Sequence, residues 1–342
     1  MVRRSMRGCA QPAQDNILAF RYRTFDFPIE RPGPAFLSCP FIEYRSIDKG
    51  ATMKFGIATY GFRPDDIVPL ARHADELGFD GIWLGEHILE PREFQSIHPH
   101  DEGKARVPVH TRARTMYDMW TMVGGILGAT RRLTVTTGIL LLPLRHPVAT
   151  ARAAITAQQI AGGRFRLGLG TGWWKEEAEN LGVPFEERNK RYNETLSVLP
   201  RLFNAEWVSN PGPYYPFQTL RVTEEPVRVP LVFGGTGPKT LDRTARMGDG
   251  WYGPMVRPED AIALKSKIAQ RRAELGLKTA FSYQARIWGE PEIRGMQAYI
   301  DAGFDTAVVP CETFQGDLAF DMTLDQKLRR LEQIATNLHI GR

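Results

Sequence analysis

The chain has 342 residues, of which 42% are hydrophobic and 24% charged, a composition typical of a globular enzyme domain rather than a disordered or fibrous protein. Its formal net charge is +5, and eight basic and five acidic residues within 1–52 account for +3 of this. The nearly neutral remainder lacks the dense basic face that nucleic acid or a membrane surface would require, so we expect neither as a partner.

Residues 1–52 differ from the rest of the chain. They mix Arg, Pro and aromatic residues without periodicity, and a clean strand pattern begins at Met53. They contain no continuous apolar segment of the kind found in secretory signals. We therefore expect 1–52 to be an irregular extension, produced by an over-called start codon, and 53–342 to be the folded domain. Only three cysteines occur, which implies no disulfide framework and favours a cytoplasmic location.

Strand and helix patterns alternate along the folded domain. Apolar residues at helical spacing run from Ile67 to Leu77 and stop at Gly78, and a similar run from Ile262 to Leu275 leads to Gly276. Eight strands alternating with helices predict a (β/α)₈ TIM barrel. Long segments at 91–115 and 182–227 are predicted to cover its C-terminal mouth. The predicted strands are 54–60, 81–85, 133–142, 165–170, 230–234, 250–253, 279–288 and 306–310.

Glycines mark the ends of the third and fourth predicted strands. Gly138 lies in the third strand, and Gly168, Gly170 and Gly172 alternate with other residues in and after the fourth. Such glycines weaken a strand unless something approaches the backbone closely. They indicate either a flat ligand, such as a ring or phosphate, or tight packing without a ligand.

A glycine-rich turn follows the fifth predicted strand. Gly234, Gly235, Thr236 and Gly237 precede Pro238, which suits the first position of a helix. Free backbone N–H groups and the helix dipole would then favour a phosphate. The alternative is a plain glycine-rich turn.

Two titratable residues, Glu86 and His87, follow the second predicted strand. In a TIM barrel this places them at the catalytic mouth. His87 is the candidate catalyst, with a buried or surface histidine as the alternative, and Glu86 is either part of the site or a salt-bridging carboxylate.

Other polar clusters carry weaker signals. The histidines at 98, 100 and 110 fit no compact zinc spacing, so we predict no metal and interpret this segment as a lid. Arg145 and His146 open a helix and are interpreted as mainly structural. Arg191 is a modest candidate for an anionic group, with a solvated basic face as the alternative.

Four sequence blocks, in order, carry a family resemblance. They are A-D-E-L-G-F-D-G-I-W-L-G-E-H at 74–87, T-G-I-L-L-L-P-L-R-H-P with G-G-R-F-R-L-G-L-G-T-G-W at 137–173, F-G-G-T-G-P-K at 233–239, and A-R-M-G-D-G-W at 245–251. The chain thus resembles the luciferase-like monooxygenase superfamily, particularly the branch that uses the deazaflavin coenzyme F420.

The resemblance implies roles for specific residues near a bound coenzyme. His87 would exchange a proton or stabilise an anion near the redox ring, and Glu86 would lie near that ring. Gly138 and Ile139 would form a non-prolyl cis peptide against it. The cofactor-binding residues implied are Gly138, Ile139, Gly170, Thr171, Gly172, Gly234, Gly235 and Thr236.

Two departures from the family narrow the expected function. Pro91 stands where the deazaflavin-dependent sugar-phosphate dehydrogenases have a tryptophan, and 255–257 lacks their phosphate-binding lysine, which argues against glucose 6-phosphate. Residues 288–293 leave no room for the long mobile segment of the luciferases proper, which argues against light emission.

We therefore expect an oxidoreductase that transfers a hydride between F420 and a small organic substrate. The alternative enzyme is a reduced-FMN-dependent two-component monooxygenase supplied by a separate reductase. The alternatives from other classes are a flavin- or deazaflavin-binding protein and a non-redox barrel hydrolase or isomerase. The resemblance also implies a homodimer.

Overall fold

A computed structural model describes residues 53–59, 62–93, 95–96, 117–254, 257–287, 292–311 and 322–341. The predicted extension at 1–52 lies outside these ranges, as do most of the predicted lid at 91–115 and the histidines at 98, 100 and 110.

Parallel strands form a closed barrel. In the sheet, β3 is followed by β2, β1, β11, β10, β9, β8 and β5, and a pairing between β3 and β5 closes the ring, which confirms the predicted (β/α)₈ barrel. The strands are β1 (Lys54–Thr59), β2 (Gly81–Leu84), β3 (Thr134–Thr137), β4 (Leu140–Leu141), β5 (Phe165–Gly170), β6 (Val208–Asn210), β7 (Phe217–Leu220), β8 (Leu231–Gly234), β9 (Gly250–Gly253), β10 (Ser282–Arg286) and β11 (Thr306–Pro310).

Helices alternate with the barrel strands. They are α1 (Pro64–Leu77), α2 (Met119–Ala129), α3 (Pro147–Ala161), α4 (Lys175–Asn180), α5 (Arg188–Phe203), α6 (Pro238–Met247), α7 (Pro258–Glu274), α8 (Ile293–Asp301) and α9 (Leu324–Asn337). Gly78 ends α1 in a left-handed conformation, as its sequence position predicts. The predicted excursion at 182–227 contains α5 and the antiparallel hairpin β6–β7.

The third predicted strand, 133–142, is not continuous. It divides into β3 and β4 at a cis peptide bond between Gly138 and Ile139, the position that the family resemblance implies. Among the described residues, β3 pairs with β2 and with the start of β5, whereas β4 pairs with the end of β5. A short 3₁₀ turn at Leu142–Leu144 then leads into α3.

The indole of Trp83 fills the centre of the barrel. It packs in a buried cluster with Tyr252 and donates a hydrogen bond from Nε1 to Gln284 Oε1 at 3.0 Å. A Cβ atom on Gly56 or Gly81 would collide with its ring. These positions therefore lack side chains because the indole occupies the space. Within the described ranges, every helix is too short or too polar to cross a membrane.

We expect Gly168→Ala to destabilise the barrel by roughly 2–3 kcal/mol, because its new methyl would overlap the backbone oxygen of Thr137. Thr137 Oγ1 also donates to Gly168 O at 2.7 Å, so moving β3 away from β5 would break this hydrogen bond as well. Urea unfolding measures the difference.

Gly128→Ala is the matched control for this change. A Cβ there meets nothing within 4 Å, and alanine favours helix α2 by up to about 1 kcal/mol over glycine. Equal unfolding midpoints for the two variants would contradict the prediction.

Candidate active site

Parallel strands place the predicted site residues at one rim of the barrel. Glu86 and His87 follow β2, the cis peptide follows β3, and Gly234 ends β8. The carboxyl ends of all strands in a parallel barrel lie at the same mouth. Residues 170–172, at the end of β5, join them there.

Ile139 lies between the glycines of this rim. A Cβ on Gly170 would collide with the Ile139 side chain, and one on Gly234 would come to 3.0 Å from Ile139 Cγ2. A Cβ on Gly138 would come to 3.1 Å from Trp83. Close packing therefore accounts for the absence of side chains at Gly138 and Gly170, and their contact with a coenzyme stays a prediction. Ile139 itself is partly exposed and forms an apolar platform above the buried Trp83 cluster.

The His87 ring is held by a carboxylate and two indoles. Its Nδ1 lies 2.8 Å from Glu177 Oε2. The ring makes edge-to-face contacts with Trp173 and Trp174, at centroid distances of 5.8 Å and 5.2 Å. The two indoles are parallel to each other, and Trp174 is buried while Trp173 is half-buried. The position and orientation of the imidazole are thus defined from several sides.

Glu177, which the sequence analysis does not single out, contacts the candidate catalyst His87. It lies on α4 and is 1% exposed, and its Oε1 accepts hydrogen bonds from the backbone of Ile88 at 2.5 Å and Leu89 at 3.4 Å. An acidic residue soon after a barrel strand was a usable signal, because α4 follows β5 at the same mouth as His87.

Glu86 binds the segment after the cis peptide. Its Oε2 accepts from Leu141 N at 2.6 Å, and its Oε1 accepts from Arg145 Nη2 at 2.6 Å. Burial raises the pKa of Glu86, and the Arg145 guanidinium and the Leu141 N–H oppose that rise. Arg145 thus has a structural partner, as predicted. A contact between Glu86 and a coenzyme ring stays a prediction.

The glycine-rich turn after β8 presents backbone N–H groups. Gly235 has φ +111°, a conformation that favours glycine, and its carbonyl accepts from Trp251 Nε1 at 3.0 Å. In a trans peptide the N–H of Thr236 points opposite to that carbonyl, and so away from the fully buried Trp251. Gly237 caps α6, and Pro238 begins it, as the sequence predicts.

The remaining candidates have other partners or lie outside the described ranges. Arg191, on α5, forms an ion pair at 2.9 Å with Glu187, the residue that precedes this helix. His146 caps α3 by accepting from Val148 N. Over the portion of the chain that the structure describes, no group of three or more His, Cys, Asp or Glu side chains could hold a metal ion. The histidines at 98, 100 and 110 are not among those residues.

Comparison with known proteins finds one matching family. The model for luciferase-like monooxygenases matches residues 48–289 of the chain. An uncharacterised protein of Mycobacterium bovis is 26% identical over 272 residues, which is 79% of this chain and 93% of that protein. The F420-dependent glucose-6-phosphate dehydrogenase of Beutenbergia cavernae is 30% identical over 195 residues, 56% of this chain and 52% of that enzyme. The chain thus spans about half the length of the dehydrogenase.

Two solved structures share the fold. The coenzyme F420-dependent tetrahydromethanopterin reductase of Methanopyrus kandleri has a TM-score of 0.64 at 16% identity, over 85% of this chain and 100% of that one. The FMN complex of the oxygenating constituent of 3,6-diketocamphane monooxygenase from Pseudomonas putida has a TM-score of 0.61 at 13% identity, over 84% and 98%. At these identities the likeness concerns the fold alone.

We expect Arg145→Met to destabilise the protein increasingly as the pH rises. Removal of the guanidinium leaves Glu86 buried without its cation, so the pKa of Glu86 rises further in the folded state. A raised folded-state pKa favours folding below the unfolded value, and this advantage disappears as the pH rises through the folded value. The stability deficit relative to the parent should therefore grow from about pH 5 to about pH 8, towards roughly 3 kcal/mol.

Urea unfolding of the coenzyme-free protein across this pH range tests the prediction. The control is the double variant Arg145→Met with Glu86→Gln, which lacks the titrating carboxylate and should show a deficit independent of pH. The prediction is wrong if Arg145→Met alone shows the same deficit at every pH.

Proposed function

Because the chain belongs to the luciferase-like monooxygenase family and is an oxidoreductase of the kind that uses F420 or FMN, we propose that its coenzyme is F420. It transfers a hydride between F420 and a small organic substrate. The observation that carries this choice is the 30% identity to an F420-dependent dehydrogenase, since the FMN-binding neighbour shares only the fold. The alternative function is a reduced-FMN monooxygenase, which would bind FMN more tightly than F420.

The residues at the mouth fit the two ends of such a coenzyme. The turn formed by Gly234, Gly235 and Thr236 would hold the phosphate, because outward N–H groups and the start of α6 favour an anion. The fit depends on Gly235, whose positive φ excludes ordinary side chains. The apolar platform of Ile139 suits a flat ring.

Other rim residues would border the ring. Gly138 shares the cis peptide with Ile139, and residues 170–172 follow β5 beside it. We assign Gly170, Thr171 and Gly172 to the edge of the ring or to the chain that links it to the phosphate. Glu86 supports this platform indirectly, since its hydrogen bond to Leu141 holds the strand that follows the cis peptide.

In this proposal, His87 exchanges a proton with the substrate. The reduced coenzyme supplies a hydride when it is bound. His87 moves the accompanying proton through its ring, which Glu177 and the two indoles hold in place. Trp173 and Trp174 also exclude water from one side of the imidazole. A separate reductase for the coenzyme and a homodimeric assembly stay predictions.

A binding titration with F420 and FMN, each oxidised and reduced, tests the coenzyme assignment without any substrate. We expect F420 to bind at least about tenfold more tightly than FMN, and Gly235→Ala to weaken F420 binding by about tenfold or more, which is roughly 1.4 kcal/mol. The substitution places a β-carbon on a residue with φ +111°, a conformation that alanine rarely adopts, so the backbone of the turn must change.

Gly237→Ala is the matched control in the same turn. Its φ is −67°, and a Cβ there meets nothing within 4 Å, so its affinity should stay within a few-fold of the parent. Tighter binding of FMN than of F420 would favour the monooxygenase instead. If folded Gly235→Ala bound F420 with the affinity of the parent, the turn would not be the phosphate site.

We expect His87→Ala to reduce turnover by roughly a hundredfold or more while coenzyme affinity stays within a few-fold of the parent. That is the range for the loss of a positioned acid or base. Reoxidation of reduced F420 by a panel of enones, imines and quinones provides the assay. His73→Ala is the control, because His73 pairs with Glu332 on the outer helices. Normal turnover by His87→Ala with an accepted substrate would end the catalytic assignment.

A further inference from the structure

The carboxylate of Glu177 is surrounded by donors from the loop that carries His87. Its Oε2 faces Nδ1 of His87 at 2.8 Å. Its Oε1 accepts from the backbone N–H groups of Ile88 and Leu89 at 2.5 Å and 3.4 Å. The Glu177 side chain is 2% exposed, and that of His87 is 11% exposed. One buried group thus binds three consecutive residues.

This arrangement bears on the tautomer of His87, because its Nδ1 atom faces a carboxylate oxygen. An ionised carboxylate can only accept hydrogen bonds, so the Nδ1 atom that faces it must carry a proton. In the neutral ring, Nε2 is then the nitrogen with the lone pair. Which nitrogen of a histidine can receive a proton is set in this way by the hydrogen bond that the other nitrogen makes.

The same contacts define the direction of the ring. Glu177 cannot rotate away from His87 without breaking its bonds to Ile88 and Leu89. Trp174 immediately precedes α4 and contacts the imidazole edge-to-face. The carboxylate and the indole therefore belong to one short chain segment that encloses the imidazole from the side of β5.

We propose that Glu177 is the positioning residue of His87. It keeps the proton on Nδ1, directs Nε2 to the substrate and balances the imidazolium that forms. The inference rests on the proposed function. With an alcohol taken as an example of the substrate, the bound oxidised coenzyme would accept the C–H electron pair as hydride, and the O–H electron pair would form the carbonyl bond. The hydroxyl proton would pass to Nε2 of His87. Reduction of the carbonyl reverses each transfer.

The adjacent residue, Glu176, shows what loop anchoring alone looks like. It accepts from Gln95 N at 2.7 Å and from Ser96 N and Oγ at 3.2 Å and 2.6 Å. These hydrogen bonds hold the backbone at Gln95 and Ser96, which begins eight residues after His87, whereas Glu177 contacts the imidazole itself. Glu176→Gln is therefore a matched control, since it is the same chemical change at the neighbouring position.

The variant Glu177→Gln separates the two roles because it keeps the shape of the side chain. Its carbonyl oxygen can still accept from Ile88 and Leu89, and its amide nitrogen then donates to Nδ1 of His87. The proton on the neutral ring moves to Nε2, which is the wrong tautomer for accepting a proton from the substrate.

The first measurement is ¹⁵N NMR of the full-length, histidine-labelled protein, which reports the tautomer without any turnover. We expect the neutral His87 ring to carry its proton on Nδ1 in the parent and in Glu176→Gln, and on Nε2 in Glu177→Gln. A parent ring protonated on Nε2 would overturn the proposal, and this test needs no folded variant. An unchanged tautomer in folded Glu177→Gln would overturn it too.

The second measurement is steady-state turnover with F420 together with the dissociation constant of the coenzyme. Glu177→Gln should lower kcat by about a hundredfold or more, with KM and coenzyme affinity within about threefold of the parent. Glu176→Gln should change none of these by more than about threefold. Equal losses of kcat in the two variants would reduce Glu177 to a loop anchor.

The two measurements distinguish failure of this inference from failure of the proposed function. A parent protein that neither binds nor oxidises F420 would contradict the proposed function, yet the NMR comparison would still decide whether Glu177 sets the tautomer of His87. A parent that turns over F420 normally alongside an equally active Glu177→Gln would contradict only the positioning role.

Discussion

The indole of Trp83 occupies the centre of the barrel and decides where the surrounding backbone must lack side chains. Gly56 and Gly81 lie against its ring, and Gly138 lies against its Cβ and Cδ1. Ile139 then packs above this cluster at the mouth, between Gly170 and Gly234. Interiors are close-packed, so a single additional methyl at such positions displaces neighbours rather than filling space. The platform of the site is therefore the upper layer of the barrel core.

Buried charges hold the loops that rise from this platform. Glu86 and His87 are adjacent in sequence but have different partners, Arg145 for Glu86 and Glu177 for His87. A buried carboxylate without a partner would destabilise the folded state. Each of these contacts therefore also restrains the chain segment that carries the partner. The residues that follow β2 are therefore connected both to the segment after the cis peptide and to α4.

The long segment between β5 and β8 adds a third connection to the same region. Glu194 on α5 accepts hydrogen bonds from Asn210, Tyr214 and Tyr215, which fixes the hairpin to the helix. The hydroxyl of Tyr215 then donates to the carbonyl of Pro143 at 2.6 Å, in the 3₁₀ turn beyond β4. The segment that the sequence predicts to cover the mouth thus also supports the chain that follows β4.

The sequence by itself determined the barrel and the position of its mouth, because both follow from local patterns. Buried parallel strands appear in the sequence as short apolar runs, and helices appear as apolar residues at helical spacing. A glycine such as Gly78 marks the end of a helix because it readily adopts a positive φ. The placement of His87 and of the turn at Gly235 followed from strand order. The tertiary structure decided what those patterns could not express: the pairing of Glu86 with Leu141 and Arg145, and the pairing of His87 with Glu177. These depend on contacts between residues dozens of positions apart, which exist only once the sheet has closed.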